Sequence, residues 1–210
     1  MAEDEFVFKT VPAGKLSLSM RRLIYGVGVN DSPYTIVLKI NGKRIECPYY
    51  RAWFGMLRRC YSKQYRKTHP TYAGCSVCGE WLLFSNFRAW MVRQNWKGKE
   101  LDKDIMCPGN KIYSPQTCVF VNGSINTLLT NSAASRGDHP QGVKLEKRTG
   151  RFIARINING KYKHLGSFGS SEKAYSMYRE TKRMHILTIA CCEKDVRVKQ
   201  GLYRHSELLK

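Results

Sequence analysis

The fold is decided most clearly by residues 142–182, which read GVKLEKRTGRFIARININGKYKHLGSFGSSEKAYSMYRETK. Asn159-Gly160 is the dipeptide most typical of a tight hairpin turn, and Arg148-Thr149-Gly150 also has turn composition. Around these turns the chain alternates apolar with polar side chains, which is the period of a half-buried strand. The pattern predicts three antiparallel strands at 142–146, 151–158 and 161–168.

A helix is predicted directly after these strands. Ser170 or Ser171 suits its N-cap, and one of its faces carries Ala174, Met177, Tyr178 and Thr181. In the middle strand Phe152, Ala154, Ile156 and Ile158 alternate with Arg151, Ile153, Arg155 and Asn157. We therefore expect one sheet face to pack on the helix and the other to present cations and amides. Between residues 141 and 190, eleven Lys or Arg stand against three Glu.

The same stretch resembles the APETALA-type DNA-binding domain, a family of plant transcription factors and of phage and mobile-element nucleases. The matching residues are Gly142-Val143, Gly150-Arg151-Phe152, Ala154, Ile156, Leu165-Gly166-Ser167-Phe168, Glu172, Ala174 and Tyr178. In that family the sheet enters the major groove, and a two- or three-stranded ribbon does fit there. The resemblance implies DNA contacts by Lys144, Arg148, Arg151, Arg155, Tyr162, Lys163 and His164. His164 stands where the family usually has a tryptophan, and the alternative is an unrelated three-stranded sheet with a basic face.

Residues 101–126, LDKDIMCPGNKIYSPQTCVFVNGSIN, resemble the ββα metal finger of HNH homing endonucleases in a form seen in phage proteins. The resemblance implies that Asp102 and Asn126 hold one divalent ion, Mg²⁺ or Mn²⁺, which stabilises charge on the cleaved phosphate. Lys103 stands where the family has its general-base histidine, although a lysine is protonated at neutral pH. Asp104 is a second carboxylate, expected on the same strand face as Asp102, where it binds metal or acts as a base.

Three interpretations of this finger stay open. It is an active, divergent nuclease, or an inactive one retained for DNA binding with Lys103 gripping phosphate, or a chance match in a structural unit. From the residues themselves we expect a short strand at 101–105 and a helix over 114–129, capped by Ser114 with Pro115 in its first turn.

The N-terminal region combines a hairpin with aromatic helices. YTIVLKI and KRIEC meet across Asn41-Gly42, and Pro48 suits the start of the next helix. No acid occurs between Glu46 and Glu80, so we expect Arg58 and Arg59 to face phosphate. Two apolar stripes are predicted to form core: Tyr50, Trp53, Phe54 and Leu57, then Trp81, Phe84, Phe87 and Met91.

The eight cysteines leave two possibilities open. Cys75 and Cys78 have the spacing of half a structural zinc site, which Cys107 and Cys118 could complete with Zn²⁺. Otherwise they are packing thiols, as we expect of Cys47, Cys60, Cys191 and Cys192.

Composition limits the classes of function. The chain of 210 residues carries 36 Lys and Arg against 16 Asp and Glu, a formal charge of +20, which favours a polyanionic partner. It shows neither a secretory signal nor a spanning segment, so we expect a cytoplasmic location, that of the host cell if a bacteriophage encodes it. No membrane or small-molecule substrate is expected.

The predicted fold class is α+β, with a central degenerate ββα finger and a C-terminal three-stranded antiparallel sheet packed on one helix. The expected organisation has four parts. Residues 1–130 form the hairpin, helices and finger, 131–141 the linker, 142–190 the APETALA-like DNA-binding domain and 191–210 a basic tail. The leading functional prediction is an HNH-type homing endonuclease, a hydrolase that cuts or nicks duplex DNA. The alternatives are a non-catalytic DNA-binding regulator or host-takeover protein, and a basic protein that binds an acidic protein partner.

Overall fold

The structure is a computed structural model that describes residues 11–130 and 138–210, so most of the predicted linker lies outside the described residues. Its fold class is α+β, as predicted. In chain order the elements are α1 (Lys15–Ser19), β1 (Val37–Ile40), β2 (Lys43–Glu46), α2 (Pro48–Tyr61), α3 (Lys63–Thr68), β3 (Ser76–Val77), α4 (Phe84–Met91), β4 (Glu100–Asp102), β5 (Ile112–Tyr113), β6 (Val119–Val121), α5 (Gly123–Leu129), β7 (Val143–Glu146), β8 (Arg151–Ile158), β9 (Lys161–Phe168), α6 (Ser171–Cys192) and α7 (Val196–Glu207).

The chain divides into two compact units. The first comprises the residues up to Lys97 together with Asn110–Cys118, and the second comprises Gly98–Gly109 together with Val119–Lys210. The predicted organisation placed 98–109 and 119–130 with the N-terminal region, whereas in the structure they belong with the C-terminal sheet.

The first unit is built on an aromatic core. Helix α2 packs on α4, and the predicted aromatic stripes supply the fully buried side chains Trp53, Leu57, Phe84 and Phe87. The indole of Trp53 donates a hydrogen bond to the carbonyl oxygen of Trp81 at 2.7 Å. Strands β1 and β2 pair antiparallel around the predicted Asn-Gly turn, in which both residues have positive φ, and β3 pairs parallel with β5.

The region predicted as a finger, residues 101–126, is divided between the two units, since 110–118 belong to the first and the rest to the second. Strands β4 and β6 pair antiparallel and α5 follows, which we call the β4–β6–α5 segment. The predicted helix over 114–129 is wrong in its first half. Ser114–Cys118 form a turn in which the Ser114 and Thr117 hydroxyls lie 2.9 Å apart, and the apolar run Val119–Val121 is a buried strand. β-Branched and aromatic residues favour that strand, so the helix begins only at Gly123.

The C-terminal sheet has the predicted strands in the order β7-β8-β9, all antiparallel. Asn159 and Gly160 take φ values of 52° and 81°, which is the turn that the dipeptide predicts. The register shifts between Ala154 and Arg155, and Leu165 of β9 is the extra residue of this bulge.

Helix α6 joins this sheet to the β4–β6–α5 segment. Ala174 and Tyr178 in its first half are buried where α6 contacts the sheet. Ile186 and Ala190 in its second half belong to a hydrophobic core with Ile105, Val119, Val121, Ile125, Val198 and Leu202. The buried face follows an i, i+4 progression, so Met177, predicted on it, is 41% exposed. Residues 196–207, predicted as part of a tail, form α7 because Val198 and Leu202 pack into this core.

Within the residues that the structure describes, no helix is both long enough and apolar enough to cross a membrane.

Candidate nucleic-acid interface

The C-terminal sheet presents one face away from α6, and the strand register defines it. Arg155 pairs with His164, Asn157 with Tyr162 and Ile153 with Lys144. Directly paired residues project to the same side of a sheet, and the intervening residues Phe152, Ala154 and Ile156 face α6. The outer face therefore consists of Lys144, Glu146, Arg151, Ile153, Arg155, Asn157, Tyr162, His164 and Ser167.

Two arginines of the outer face are held by neighbouring groups. The guanidinium carbon of Arg155 lies 4.7 Å from the centroid of the Tyr162 ring, and Tyr162 is 67% exposed. Arg151 donates from Nη2 to the carbonyl oxygen of Ser167 at 2.7 Å. Such contacts restrict the rotamers of long cationic side chains, so less conformational entropy remains to be lost when they bind a ligand.

Five of the seven predicted sheet contacts lie on the outer face. They are Lys144, Arg151, Arg155, Tyr162 and His164. Arg148 is exposed in the β7–β8 turn, whereas Lys163 pairs with Ile156 and therefore projects to the other side. Strand alternation causes this, because Lys163 lies between Tyr162 and His164, which both belong to the outer face.

The outer face continues into a cavity of about 1020 Å³ within the second unit. Lys144, Arg155 and Tyr162 line one side, while Thr127 of α5 and His185 of α6 contribute to the rest. Burial lowers the pKa of His185. The remaining lining mixes polar groups with apolar side chains such as Leu128, Ile156 and Ile189.

Of the two arginines predicted on the N-terminal helix, only Arg58 is exposed. Its guanidinium carbon lies 4.7 Å from the centroid of the Tyr65 ring. Arg59 is half-buried and donates from Nε to the Tyr113 hydroxyl at 3.0 Å, while its guanidinium also lies over the rings of Tyr72 and Tyr113. Arg59 therefore connects α2 to β5, and the prediction that it faces phosphate is not met.

Asp102 shapes the chain at the end of β4. Its Oδ1 accepts hydrogen bonds from the backbone N–H groups of Asp104 and Ile105, each at 2.7 Å. Burial raises the pKa of its carboxyl, although the two backbone hydrogen bonds oppose that shift. Oδ1 of Asp102, a residue predicted to bind a metal ion, thus stabilises the backbone that follows β4.

Lys103 is buried, with only 4% of its surface exposed, and its Nζ lies 2.6 Å from each carboxylate oxygen of Asp104. The structure thus places the Lys103 ammonium inside the protein against Asp104 and not at the surface, where a DNA phosphate would lie. Asp104 does not share a strand face with Asp102 as predicted, because β4 ends at Asp102.

His205 of α7 joins this cluster, and sequence reasoning missed it. Its Nε2 lies 3.2 Å from the backbone oxygen of Asp104, which can only accept, so Nε2 carries the proton. Burial lowers the pKa of His205. No spacing rule connects residues 101 positions apart in the chain.

Asn126 of α5 donates from its side-chain amide to Oε2 of Glu100 at 2.6 Å. Asn126 was predicted to act with Asp102, and Glu100 was not predicted at this site. Strand alternation offered a signal, because Glu100 and Asp102 are two residues apart on β4 and so share a face. The structure therefore adds a carboxylate to this side of the β4–β6–α5 segment.

Across residues 11–130 and 138–210, no three His, Cys, Asp or Glu side chains come together in a group that could hold a metal ion. Of the four cysteines considered for zinc, Cys75 and Cys118 are buried, Cys78 is half-buried and Cys107 is exposed. Cys47 and Cys60 are buried packing thiols as predicted, whereas Cys191 and Cys192 are exposed because they lie at the end of α6.

The second unit thus holds two polar constellations, the outer sheet face and the contacts of Glu100, Lys103, Asp104, Asn126 and His205. Comparisons with family models, with curated proteins and with solved structures find no match to this chain.

Proposed function

We propose that this protein binds duplex DNA through the outer face of the β7–β9 sheet. The observation that carries the proposal is the register that aligns Lys144, Arg155, Tyr162 and His164 on one solvent-facing surface. The three strands contain one acid, Glu146, at the far end of β7, and Thr149 donates to its carboxylate. A positive surface therefore remains over most of the sheet.

Shape and chemistry favour duplex DNA as the ligand. The major groove of B-DNA admits a ribbon of strands, and arginine can donate two hydrogen bonds to guanine there. The major groove of an RNA duplex is too deep and narrow for such reading. Arg155 stacked on Tyr162 and Arg151 anchored on Ser167 are the side chains we assign to the base edges, with Lys144 at phosphate.

The experiment is a titration of labelled duplex with the full chain. Arg151→Ala with Arg155→Ala removes two cations from the outer face. Lys161→Ala with Lys163→Ala is the matched control, because these exposed lysines pair with Ile158 and Ile156 and project to the other side of the same sheet. We expect the first variant to lose affinity by about tenfold or more and the control by about threefold or less. Equal losses would refute the assignment of the outer face.

A second candidate function, metal-dependent cleavage of the bound DNA, is favoured by the contact between Glu100 and Asn126. Carboxylate and amide oxygens are ligands that Mg²⁺ and Mn²⁺ accept, and rotation of the amide would turn its oxygen toward a metal. Such a metal would stabilise negative charge on the phosphate. Glu100 and Asn126 would hold it, while Asp102 keeps the turn in shape.

Nicking of supercoiled plasmid with Mg²⁺ or Mn²⁺ tests cleavage separately from binding. Glu100→Gln and Asn126→Ala should abolish nicking while duplex affinity stays within about threefold of the wild type. To test Asp102 in the same assay, Asp102→Asn is preferred to Asp102→Ala, because the asparagine retains the oxygen that accepts two backbone hydrogen bonds. Tight binding without nicking by the wild-type chain under either metal would leave the non-catalytic regulator as the function.

A further inference from the structure

The first unit carries most of the charge excess, although the proposed DNA-binding sheet belongs to the second. Its described residues include sixteen Lys or Arg and three acids, which are Asp31, Glu46 and Glu80. The described residues of the second unit include eighteen Lys or Arg and ten acids. A polyanion bound only to the sheet would leave the larger excess of positive charge without a counter-charge.

Part of this excess gathers where α2 meets α3. Lys63, Arg66 and Lys67 follow the i, i+3, i+4 spacing that places side chains on one side of a helix. Arg58, at the end of α2, contacts the ring of Tyr65 in the middle of α3. Lys111 donates from Nζ to the carbonyl oxygen of Thr71, just beyond α3. We name Lys63, Arg66 and Lys67, which share one side of α3 next to the end of α2, the α2–α3 patch.

Aromatic contacts hold the α2–α3 patch in shape. The rings of Tyr65 and His69 stack at 4.1 Å with an interplanar angle of 4°, and Tyr72 lies 5.9 Å from Tyr65. Ser62 caps α3 by accepting a hydrogen bond from the N–H of Tyr65. Arg59 is half-buried and joins α2 to Tyr113. Lys63 and Lys67 are exposed and Arg66 is half-buried, and the aromatic contacts restrict the motion of α3, which limits the entropy lost on binding.

We propose that the α2–α3 patch is a second nucleic-acid contact, which binds backbone phosphates beyond the stretch of duplex covered by the sheet. This inference rests on the proposed function and extends it to binding of DNA at two sites, the outer sheet face and the α2–α3 patch. Lysine and arginine without base-reading geometry bind phosphate and fix position without selecting sequence. Two linked contacts raise affinity because the second one forms within the same complex.

The experiment uses the full chain with Lys63→Glu, Arg66→Glu and Lys67→Glu combined. The matched control is Lys39→Glu, Lys43→Glu and Arg44→Glu, which changes the net charge equally at exposed residues of the β1–β2 hairpin in the same unit. Affinity is measured over a range of salt concentrations on long and short duplexes, and the protected length is read by nuclease footprinting. Circular dichroism verifies that both variants fold.

The α3 variant should bind a long duplex about tenfold more weakly, protect a shorter stretch and lower the salt slope by about 2 to 3. The control should keep the protected length and most of the affinity. Equal effects of the two variants would overturn the inference, because net charge alone would then be responsible. The inference would also be overturned if the wild-type chain protected a stretch of DNA no longer than the α3 variant does. It would be overturned as well if the α2–α3 patch bound anionic vesicles while the α3 variant left the DNA footprint unchanged.

The outcomes also separate this inference from the proposed function. Loss of binding with Arg151→Ala and Arg155→Ala, but an unchanged footprint with the α3 variant, would refute the α2–α3 patch alone. Loss of binding with the α3 variant, but no effect of the sheet arginines, would refute the sheet alone.

Discussion

The carbonyl oxygen of Ile105 occupies the space that a β-carbon on Gly201 would need. Gly201 lies in the middle of α7, and Ile105 lies just after β4, so the helix rests directly on the chain beyond the strand. Both residues are buried, and Ile105 belongs to the core that includes Leu202 and Ile186. This close approach explains a glycine inside a helix, where its conformational freedom is otherwise unfavourable.

Gly201→Ala should therefore destabilise the second unit. In an open helix position the change from glycine to alanine stabilises by about 1 kcal/mol, whereas overpacking against backbone costs about 1 to 3 kcal/mol. Gly55→Ala is the control, because only the end of Arg59 lies near a β-carbon in that α2 position. Thermal unfolding should show a lower Tm for Gly201→Ala and an unchanged or higher Tm for Gly55→Ala. A stabilised Gly201→Ala variant would contradict the packing of α7 on Ile105.

The stack of Arg155 on Tyr162 predicts a graded effect on duplex binding. Tyr162→Phe keeps the ring under the guanidinium and should retain nearly all affinity, whereas Tyr162→Ala frees Arg155 and should weaken binding by about fivefold. Tyr175→Ala is the control, since Tyr175 of α6 contacts Arg179 away from the outer face. Fluorescence anisotropy measures all three. Identical affinities for Tyr162→Phe and Tyr162→Ala would show that the ring does not position Arg155.

Asp102 predicts a difference between two substitutions. Asp102→Ala removes the acceptor of two backbone hydrogen bonds and should lower the free energy of unfolding by about 2 kcal/mol. Asp102→Asn keeps an oxygen for both bonds and avoids the burial of an ionised carboxyl, so it should be nearly neutral or stabilising at pH 7. Urea unfolding compares the variants. Equal destabilisation by both would mean that the charge, rather than the turn, is what the fold requires.

His205 predicts a loss of stability in mild acid. Burial holds the pKa of His205 below its ordinary value of 6.5, so the unfolded chain binds the proton more tightly than the folded chain does. The carboxylates of Asp102 and Asp104 oppose this shift, and Lys182 adds to it. The free energy of unfolding should therefore fall as the pH drops below about 6.5.

The pKa of His185 shifts in the same direction, so His205→Gln should reduce the acid loss without removing it. Urea unfolding at pH 7.5 and at pH 5.5, for wild type and His205→Gln, measures the difference. The same change in stability between the two pH values for wild type and His205→Gln would contradict a neutral imidazole at His205 in the folded protein.

Sequence pattern alone predicted the C-terminal sheet almost residue for residue. This was possible because neighbouring residues in the sequence determine these strands and turns. Alternation of apolar and polar residues identifies each strand, and Asn159-Gly160 adopts the positive φ values that a tight turn needs. The aromatic core residues of the first unit were also predictable, since helical periodicity identifies a buried face without a tertiary partner. The bulge at Leu165 was not predictable, because an extra residue in one strand is defined only by its pairing with the neighbouring strand.

The polar groups around the β4–β6–α5 segment were decided by tertiary structure. Lys103 is buried beside Asp104, and Asn126 contacts Glu100. His205, which is distant in the sequence, contacts the backbone oxygen of Asp104. Likewise, residues 98–109 and 119–130 belong with the sheet because α6 and α7 share a core with them. Local periodicity determines which residues turn inward and where strands turn back. Which distant groups then meet depends on how the long helix packs on both parts, and that packing is a property of the folded chain.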